Sequence, residues 1–210
     1  MNTRSLPLFV TIAIFLFGYA LCWMQFPAIL SFRVIGNLLT DNAYLGIVAV
    51  GMTMVILSGG IDLSVGAVIA FSGVFIAVML RDTGLHPLAV FACLLVLSTA
   101  FGAAMGWLID RLSMPAFIVT LAGMFLARGA AYLLSVDSVP VQHDFYQALQ
   151  SAYWLTPGKG RLTLIGGIMV LVVIIGMIVT HRTRFGTALY ALGGGEATAR
   201  LMGVKQGRTI

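Results

Sequence analysis

One short segment between two long apolar runs holds the residues best suited to chemistry. Residues 59–64 have the sequence GGIDLS, which places the carboxylate of Asp62 shortly after two glycines. A carboxylate inside or beside a bilayer is costly, so it needs a partner, a helix terminus to cap or a water-lined path. The segment therefore predicts a helix break with a capping acid or an acid that couples an ion.

The local sequence favours a break between two helices. Glycine suits the left-handed position just past a helix end, and Asp62 can cap the next helix by accepting its free backbone N–H groups. Residues 42–57 would rise about 24 Å as a helix, less than the roughly 30 Å of a hydrocarbon core. Either the helix starts earlier, or the break lies within the membrane and lines a cavity. A plain turn at the cytoplasmic surface is the alternative.

Two further polar side chains lie within apolar runs. Arg128 either snorkels to the outer interface or faces the helix bundle, where it would meet a polar solute or a carboxylate such as Asp62. Thr120 can bind a hydroxyl-rich solute, although such hydroxyls more often bond carbonyls of their own helix. The candidates for the helix break and the solute path are therefore Gly59, Gly60, Asp62, Ser64, Thr120 and Arg128.

Composition identifies the setting of these residues. The chain has 210 residues, of which 60% are hydrophobic and 9% are charged, whereas soluble domains are about one quarter charged. An all-α, polytopic helical membrane fold follows, with a membrane domain over residues 1–181 and a cytoplasmic tail over 182–210. The charge-free stretches predict six spans, at residues 8–25, 42–61, 63–80, 88–109, 116–134 and 162–180.

The segment between the first two predicted spans is different. In residues 32–41, apolar side chains recur at helical spacing with Arg33, Asn37 and Asp41 between them. This pattern predicts an interfacial amphipathic helix. A loop that leads into the second span is the alternative.

The basic residues predict the orientation and argue against nucleic acid as a partner, because they flank the apolar runs. With six spans, both chain ends lie on one side of the membrane, and the positive-inside rule places that side in the cytoplasm. Residues 135–161 then form an outer loop. The basic residues on the cytoplasmic side are Arg4, Arg111, Arg182, Arg184, Arg200, Lys205 and Arg208.

The tail contains a second pattern. Three glycines precede a predicted helix over residues 196–202, which Gly203 ends. Glu196 complements the helix N-terminus, and Glu196 and Arg200 have the spacing of an i,i+4 pair. Seven residues are too few for a stable isolated helix. Leu201 and Met202 suggest that a partner holds it.

Several kinds of chemistry have no sequence signature here. The chain has no G-x-x-x-x-G-K-[ST] phosphate-binding loop, no zinc-ligand spacing and no G-x-S-x-G nucleophile motif. We therefore predict no catalytic residues, no metal and no cofactor in this chain.

Three ordered blocks resemble the permease subunits of bacterial ATP-binding-cassette sugar importers of the ribose type. They are residues 51–66, residues 115–129 and residues 182–203. Within this family, the N-terminal half looks closest to the permease of the galactofuranose importer.

The resemblance implies about ten membrane helices in the bacterial inner membrane, with six in this chain. It also implies a second permease subunit, a cytoplasmic ATP-binding subunit and a periplasmic sugar-binding protein. The loop over residues 186–203 would carry the helix that couples to the ATPase, through Gly186, Gly194, Glu196, Ala199, Arg200, Leu201 and Gly203.

Two features depart from the family. Gly195 stands where relatives usually have asparagine, and this is expected to loosen the start of the coupling helix. The chain also ends at Ile210, just past that helix, whereas family members continue through several spans. We therefore expect a fragment of a longer permease.

The leading hypothesis is a passive conduit for a monosaccharide, such as galactofuranose, driven by a separate ATPase. The alternative is a self-contained secondary transporter or channel for a small polar solute. That class needs intramembrane acids, preferably repeated in two halves, and Asp62 alone qualifies in the sequence.

Overall fold

The computed structural model describes residues 6–141, 143–156 and 160–204, and most of these residues are helical. The elements in chain order are α1 (Leu6–Gln25), a 3-10 helix (Pro27–Leu30), α2 (Phe32–Asp41), α3 (Ala43–Leu57), α4 (Val65–Thr83), α5 (Pro87–Arg111), α6 (Ala116–Leu134), α7 (Asp144–Ser151), β1 (Tyr153–Thr156), β2 (Gly160–Thr163), α8 (Leu164–Arg182), α9 (Arg184–Gly194) and α10 (Glu196–Leu201).

The described residues contain five helices that are long and apolar enough to cross a membrane, namely α1, α4, α5, α6 and α8. The pair α2 and α3, broken at Asn42, passes the same test together and would be a sixth span. The predicted all-α polytopic membrane fold is therefore confirmed.

The helix bounds follow the charge-free stretches closely. α6 covers the predicted residues 116–134, whereas α3 ends at Leu57, four residues before the end of the second apolar stretch. α8 starts at Leu164 because the two residues before it belong to β2. Where each helix enters and leaves the bilayer stays a prediction.

The amphipathic segment is a helix rather than a loop. α2 covers Phe32–Asp41, and the Ser31 hydroxyl caps it by accepting a hydrogen bond from the Val34 N–H at 3.4 Å. The capping residue satisfies one of the N–H groups that a helix start leaves free.

The described residues of 1–44 and 149–169 form one compact unit. In it, α2 packs against β2 of an antiparallel hairpin in which Trp154 pairs with Leu162. The hydroxyls of Thr40 and Thr163 are 2.8 Å apart and share a hydrogen bond between these two elements. The predicted outer loop, residues 135–161, therefore contains α7, strand β1 and the start of β2, which sequence reasoning missed.

The described residues of 45–148 and 170–210 form the second unit. Its core lies where α4 packs against α5 and α6, with Ala67, Ala77, Val119 and Ala127 buried. Gly123 on α6 lies so close to α5 that an added methyl group would overlap the sulfur of Met105. Small residues let membrane helices approach closely where no hydrophobic effect drives them together.

Candidate functional site

The candidate site begins where α3 stops, entirely within the second unit. Gly59 has a φ of 80°, its N–H donates to the Ile56 carbonyl at 3.0 Å, and the Gly60 N–H donates to Val55 at 3.0 Å. These paired bonds around a left-handed glycine form a Schellman motif, which satisfies carbonyls that a helix end leaves free. The predicted role of glycine at this helix end is therefore observed at Gly59.

The Asp62 carboxylate completes the other side of the break. One oxygen accepts hydrogen bonds from the Ser64 backbone N–H at 2.8 Å and from the Ser64 hydroxyl at 2.7 Å. Ser64 is only 1% exposed and immediately precedes α4. Asp62 thus accepts hydrogen bonds from the residue that precedes α4, rather than from the N–H groups of its first turn, as the sequence suggested. In this way it satisfies two buried donors.

Thr120 connects the break to α6. Its side chain is buried, and its hydroxyl lies 2.8 Å from the Ala116 carbonyl and 3.3 Å from the Ile61 carbonyl. The first contact is the common bond of a threonine to its own helix. The second reaches across to the segment between α3 and α4, so Thr120 helps to fix the position of the break.

A cavity of about 1040 Å³ adjoins these residues. Its polar lining comes from the break, from the end of α5 and from the start of α6, while methionines and a phenylalanine supply apolar surface. The side chains on these walls include Ser58, Asp62, Asp110, Ser113, Thr120, Met54, Met105, Met114 and Phe185. A concave site with a few convergent polar groups among apolar walls is the usual form of a small-molecule site.

Helix α9 forms another wall of this cavity and was not predicted. Thr183 caps its start, where the hydroxyl accepts from the Gly186 N–H at 3.3 Å. Leu189 and Leu192 are buried. Gly186 lies against the end of α8, because an added methyl group there would overlap the carbonyl of Thr180.

The C-terminal end of α9 touches the break directly. A methyl group added at Gly193 would overlap the carbonyl oxygen of Leu57, and one added at Gly59 would lie 3.6 Å from the Gly193 Cα. A methyl group at Gly194, by contrast, would meet nothing within 4 Å. The close contact therefore belongs to Gly193, which sequence reasoning left out of its site residues, rather than to Gly194.

Helix α10 follows and presents an apolar end. Ala199 is fully buried, whereas Leu201 is 90% exposed and Met202 is 66% exposed. Gly203 has a φ of 81° just past the helix, where the sequence predicted that it would stop. The side chains of Glu196 and Arg200 lie outside the described part of the structure, so their ion pair stays a prediction.

Arg128 lies apart from the other candidates. It is exposed on α6, eight residues beyond Thr120, or about 12 Å along the helix axis. Among the described residues, the ion pair found joins Arg81 and Asp82, so Arg128 does not pair with Asp62. The structure thus brings together the five candidates near the break and leaves Arg128 outside the group.

Comparison with known proteins agrees with this architecture. The family model described as branched-chain amino acid transport system / permease component matches residues 34–210. The inner membrane ABC transporter permease protein YjfF of Escherichia coli is 57% identical over 97% of this chain and 62% of its own length. The fructose import permease protein FruG of Bifidobacterium longum is 36% identical over 100% of the chain and 63% of its own length.

A third relative, the ribose import permease protein RbsC of Escherichia coli, is 36% identical over 85% of this chain and 55% of its own length. The chain thus spans about three fifths of the length of these relatives. No solved structure matched the chain. On the family match over residues 34–210, the chain belongs to the family of branched-chain amino acid transport system permease components.

Proposed function

We propose that this chain is part of the membrane permease of an ATP-binding-cassette importer that moves a monosaccharide across the bacterial inner membrane. The observation that carries the proposal is the alignment of most of the chain with permeases named for fructose and ribose import. The chain itself is non-catalytic in this proposal, and a separate subunit hydrolyses ATP.

The cavity favours a sugar over an amino acid, although the family description names amino acids. Among the residues that the structure describes, its lining contains carboxylates and hydroxyls but no lysine or arginine. A lysine or arginine would make a strong charge-assisted pair with the carboxylate of an amino acid. A sugar needs acceptors and donors for its hydroxyls, which Asp62, Asp110 and Thr120 supply. Galactofuranose is the finer proposal, and it rests on the resemblance of the N-terminal half.

The partners and the orientation belong to the same proposal. They are a cytoplasmic ATP-binding subunit, a second permease subunit and a periplasmic sugar-binding protein. Both chain ends and the segment α9–α10 lie in the cytoplasm, which follows from the positive-inside rule. The exposed Leu201 and Met202 are then the surface on which the ATP-binding subunit docks.

The work of this subunit is conformational. Nucleotide binding to the partner would favour one of two arrangements of the helices, and the partner can shift that equilibrium only by binding one arrangement better. The break between α3 and α4 is the element best suited to change, since residues 58–64 lie outside both helices. Opening of the cavity would follow its movement.

A self-contained secondary transporter is the competing function. Two carboxylates, Asp62 and Asp110, line one cavity, and acids of this kind serve ion coupling in such proteins. However, the Asp62 carboxylate accepts two hydrogen bonds from Ser64, which is the arrangement of a structural cap. We therefore retain the importer as the proposed function.

The docking surface provides the test. In the full-length permease expressed with its ATP-binding subunit, the double variant L201A/M202A should reduce copurified ATPase by about tenfold or more, because truncation of two anchoring side chains removes several kcal/mol of interface free energy. The matched control is L133A/V136A, whose side chains are 90% and 81% exposed near the C-terminal end of α6 and just past it. Equal copurification of the ATPase with both variants would contradict the proposal.

A further inference from the structure

We propose that Gly193 is the contact through which movement of α9–α10 reaches the helix break, so that Gly193 is a positioning residue for transport. This inference rests on the proposed function and identifies α9 as the helix whose movement controls access to the cavity. It assigns the coupling to a backbone contact between Gly193 and Leu57.

Helix α9 is held by backbone contacts at both ends. At its start, Gly186 lies against the Thr180 carbonyl of α8, and at its end, Gly193 lies against the Leu57 carbonyl of α3. Between them, Leu189 is 2% exposed and Leu192 is buried. A helix fixed in this way moves as a rigid body, because packed interiors resist local compression.

The contact at Gly193 falls on the last residue of α3. No backbone N–H in the described residues donates to the Leu57 carbonyl, and its oxygen lies beside the Cα of Gly193, where an added methyl group would overlap it. Cα–H to carbonyl contacts recur where helices approach closely. A shift of α9 therefore acts on the backbone at the point where α3 ends.

The break passes that shift to the cavity. Ser58 and Gly59 follow Leu57 directly and line the cavity, as does Asp62 with its bonds to Ser64. On the far side, Thr120 connects the Ile61 carbonyl to α6. A contiguous route of named contacts thus runs from α9 to the walls of the cavity.

Glycine is required at residue 193 by space rather than by backbone conformation. A methyl group at this position would overlap a backbone atom, which cannot move aside as a flexible side chain does. The neighbouring Gly194 has open space around it, although the family resemblance named Gly194 and not Gly193 for the coupling loop. Substitution by alanine is therefore expected to disturb the packing at Gly193 and to leave it unchanged at Gly194.

The experiment uses the full-length permease reconstituted with its ATP-binding and sugar-binding partners. We expect G193A to lower ATP-driven sugar uptake by about tenfold or more, a typical size for a lost coupling between sites, while copurified ATPase stays at the wild-type level. G194A should lose less than about threefold. G73A is the control for the addition of a methyl group to a helix, because a methyl group at Gly73 in α4 would meet nothing within 4 Å.

A second measurement reports on the cavity wall itself, and copurified ATPase at the wild-type level shows that G193A is folded. With the native cysteines of the full-length permease, including Cys22 and Cys93, replaced by alanine, S58C reports access to the cavity wall through its labelling rate with a hydrophilic maleimide. We expect a nonhydrolysable ATP analogue to change this rate about fivefold when Gly193 is present. The response should persist in G194A and disappear in G193A.

Three outcomes would overturn the inference: uptake by G193A at the level of G194A, loss of ATPase copurification in G193A, or an S58C labelling rate that nucleotide does not change in the native Gly193 background. Failure of the proposed function looks different, because uptake by the wild-type complex would then not require ATP at all.

Discussion

Two cavities in the second unit differ in how deeply their polar groups are buried. The larger, of about 1040 Å³, is walled by the break between α3 and α4 and by α9, and its polar groups include the buried Thr120. The smaller, of about 370 Å³, is lined by Arg81 and by the segment after α6, including Asp137. Arg81 there pairs with Asp82 at 2.6 Å, with side chains 55% and 49% exposed.

The difference indicates where the chain tolerates change. A buried donor that loses its acceptor carries the full desolvation cost, and a backbone contact cannot relax around an added methyl group. An exposed ion pair is screened by water and salt and contributes little. We therefore expect substitutions around the larger cavity to alter stability and transport, and those around the smaller cavity to leave stability intact.

The largest expected effect in this comparison is that of D62A. The substitution leaves the buried N–H and hydroxyl of Ser64 without their acceptor, at a cost of about 1–3 kcal/mol for each unsatisfied group. D62N keeps an acceptor oxygen and removes the charge, so it should retain most of the stability and of the ATP-driven uptake. Thermal unfolding in detergent and sugar uptake would measure both. Equal damage in D62N and D62A would show that the charge itself is needed.

A smaller effect is expected for T120V. Valine keeps the volume but removes the hydroxyl that reaches the Ile61 carbonyl, so we expect a loss of about 0.5–1.5 kcal/mol in unfolding free energy. T53V is the matched control, because the partner of the Thr53 hydroxyl among the described residues is the Ala49 carbonyl of its own helix, at 2.7 Å. If both variants lose the same stability, the link between α6 and the break contributes nothing.

The smallest effect is expected for R81A at the smaller cavity. Because the pair with Asp82 is exposed, its removal should leave the unfolding temperature within experimental error at both low and high salt. A salt-dependent fall in the unfolding temperature of R81A would show that the two cavities are less different than their burial indicates.

The sequence predicted the parts of this site that depend on local chemistry. The left-handed Gly59, the acid that binds near the start of α4 and the limits of α6 all follow from residue types at fixed spacing. Apolar periodicity also indicated α2, although it could not exclude a loop.

The sequence could not predict α9 or the close contact between Gly193 and Leu57. Three glycines within residues 184–194 lower helix propensity, yet α9 forms because Thr183 caps it and Leu189 and Leu192 are buried. Nothing in a run of three glycines indicates which one meets a neighbouring carbonyl. That information exists only once α3 and α9 are packed together, so it depends on tertiary structure.

The proposed function is tested most directly by the energy source of transport. The measurement is the initial rate of labelled monosaccharide uptake by proteoliposomes that contain the full-length permease, its ATP-binding subunit and its sugar-binding protein. We expect uptake when ATP is supplied on the side of the membrane where the ATP-binding subunit lies. We expect no uptake with a proton or sodium gradient alone. Uptake driven by an ion gradient in the absence of ATP would contradict the importer and favour a secondary transporter that uses Asp62.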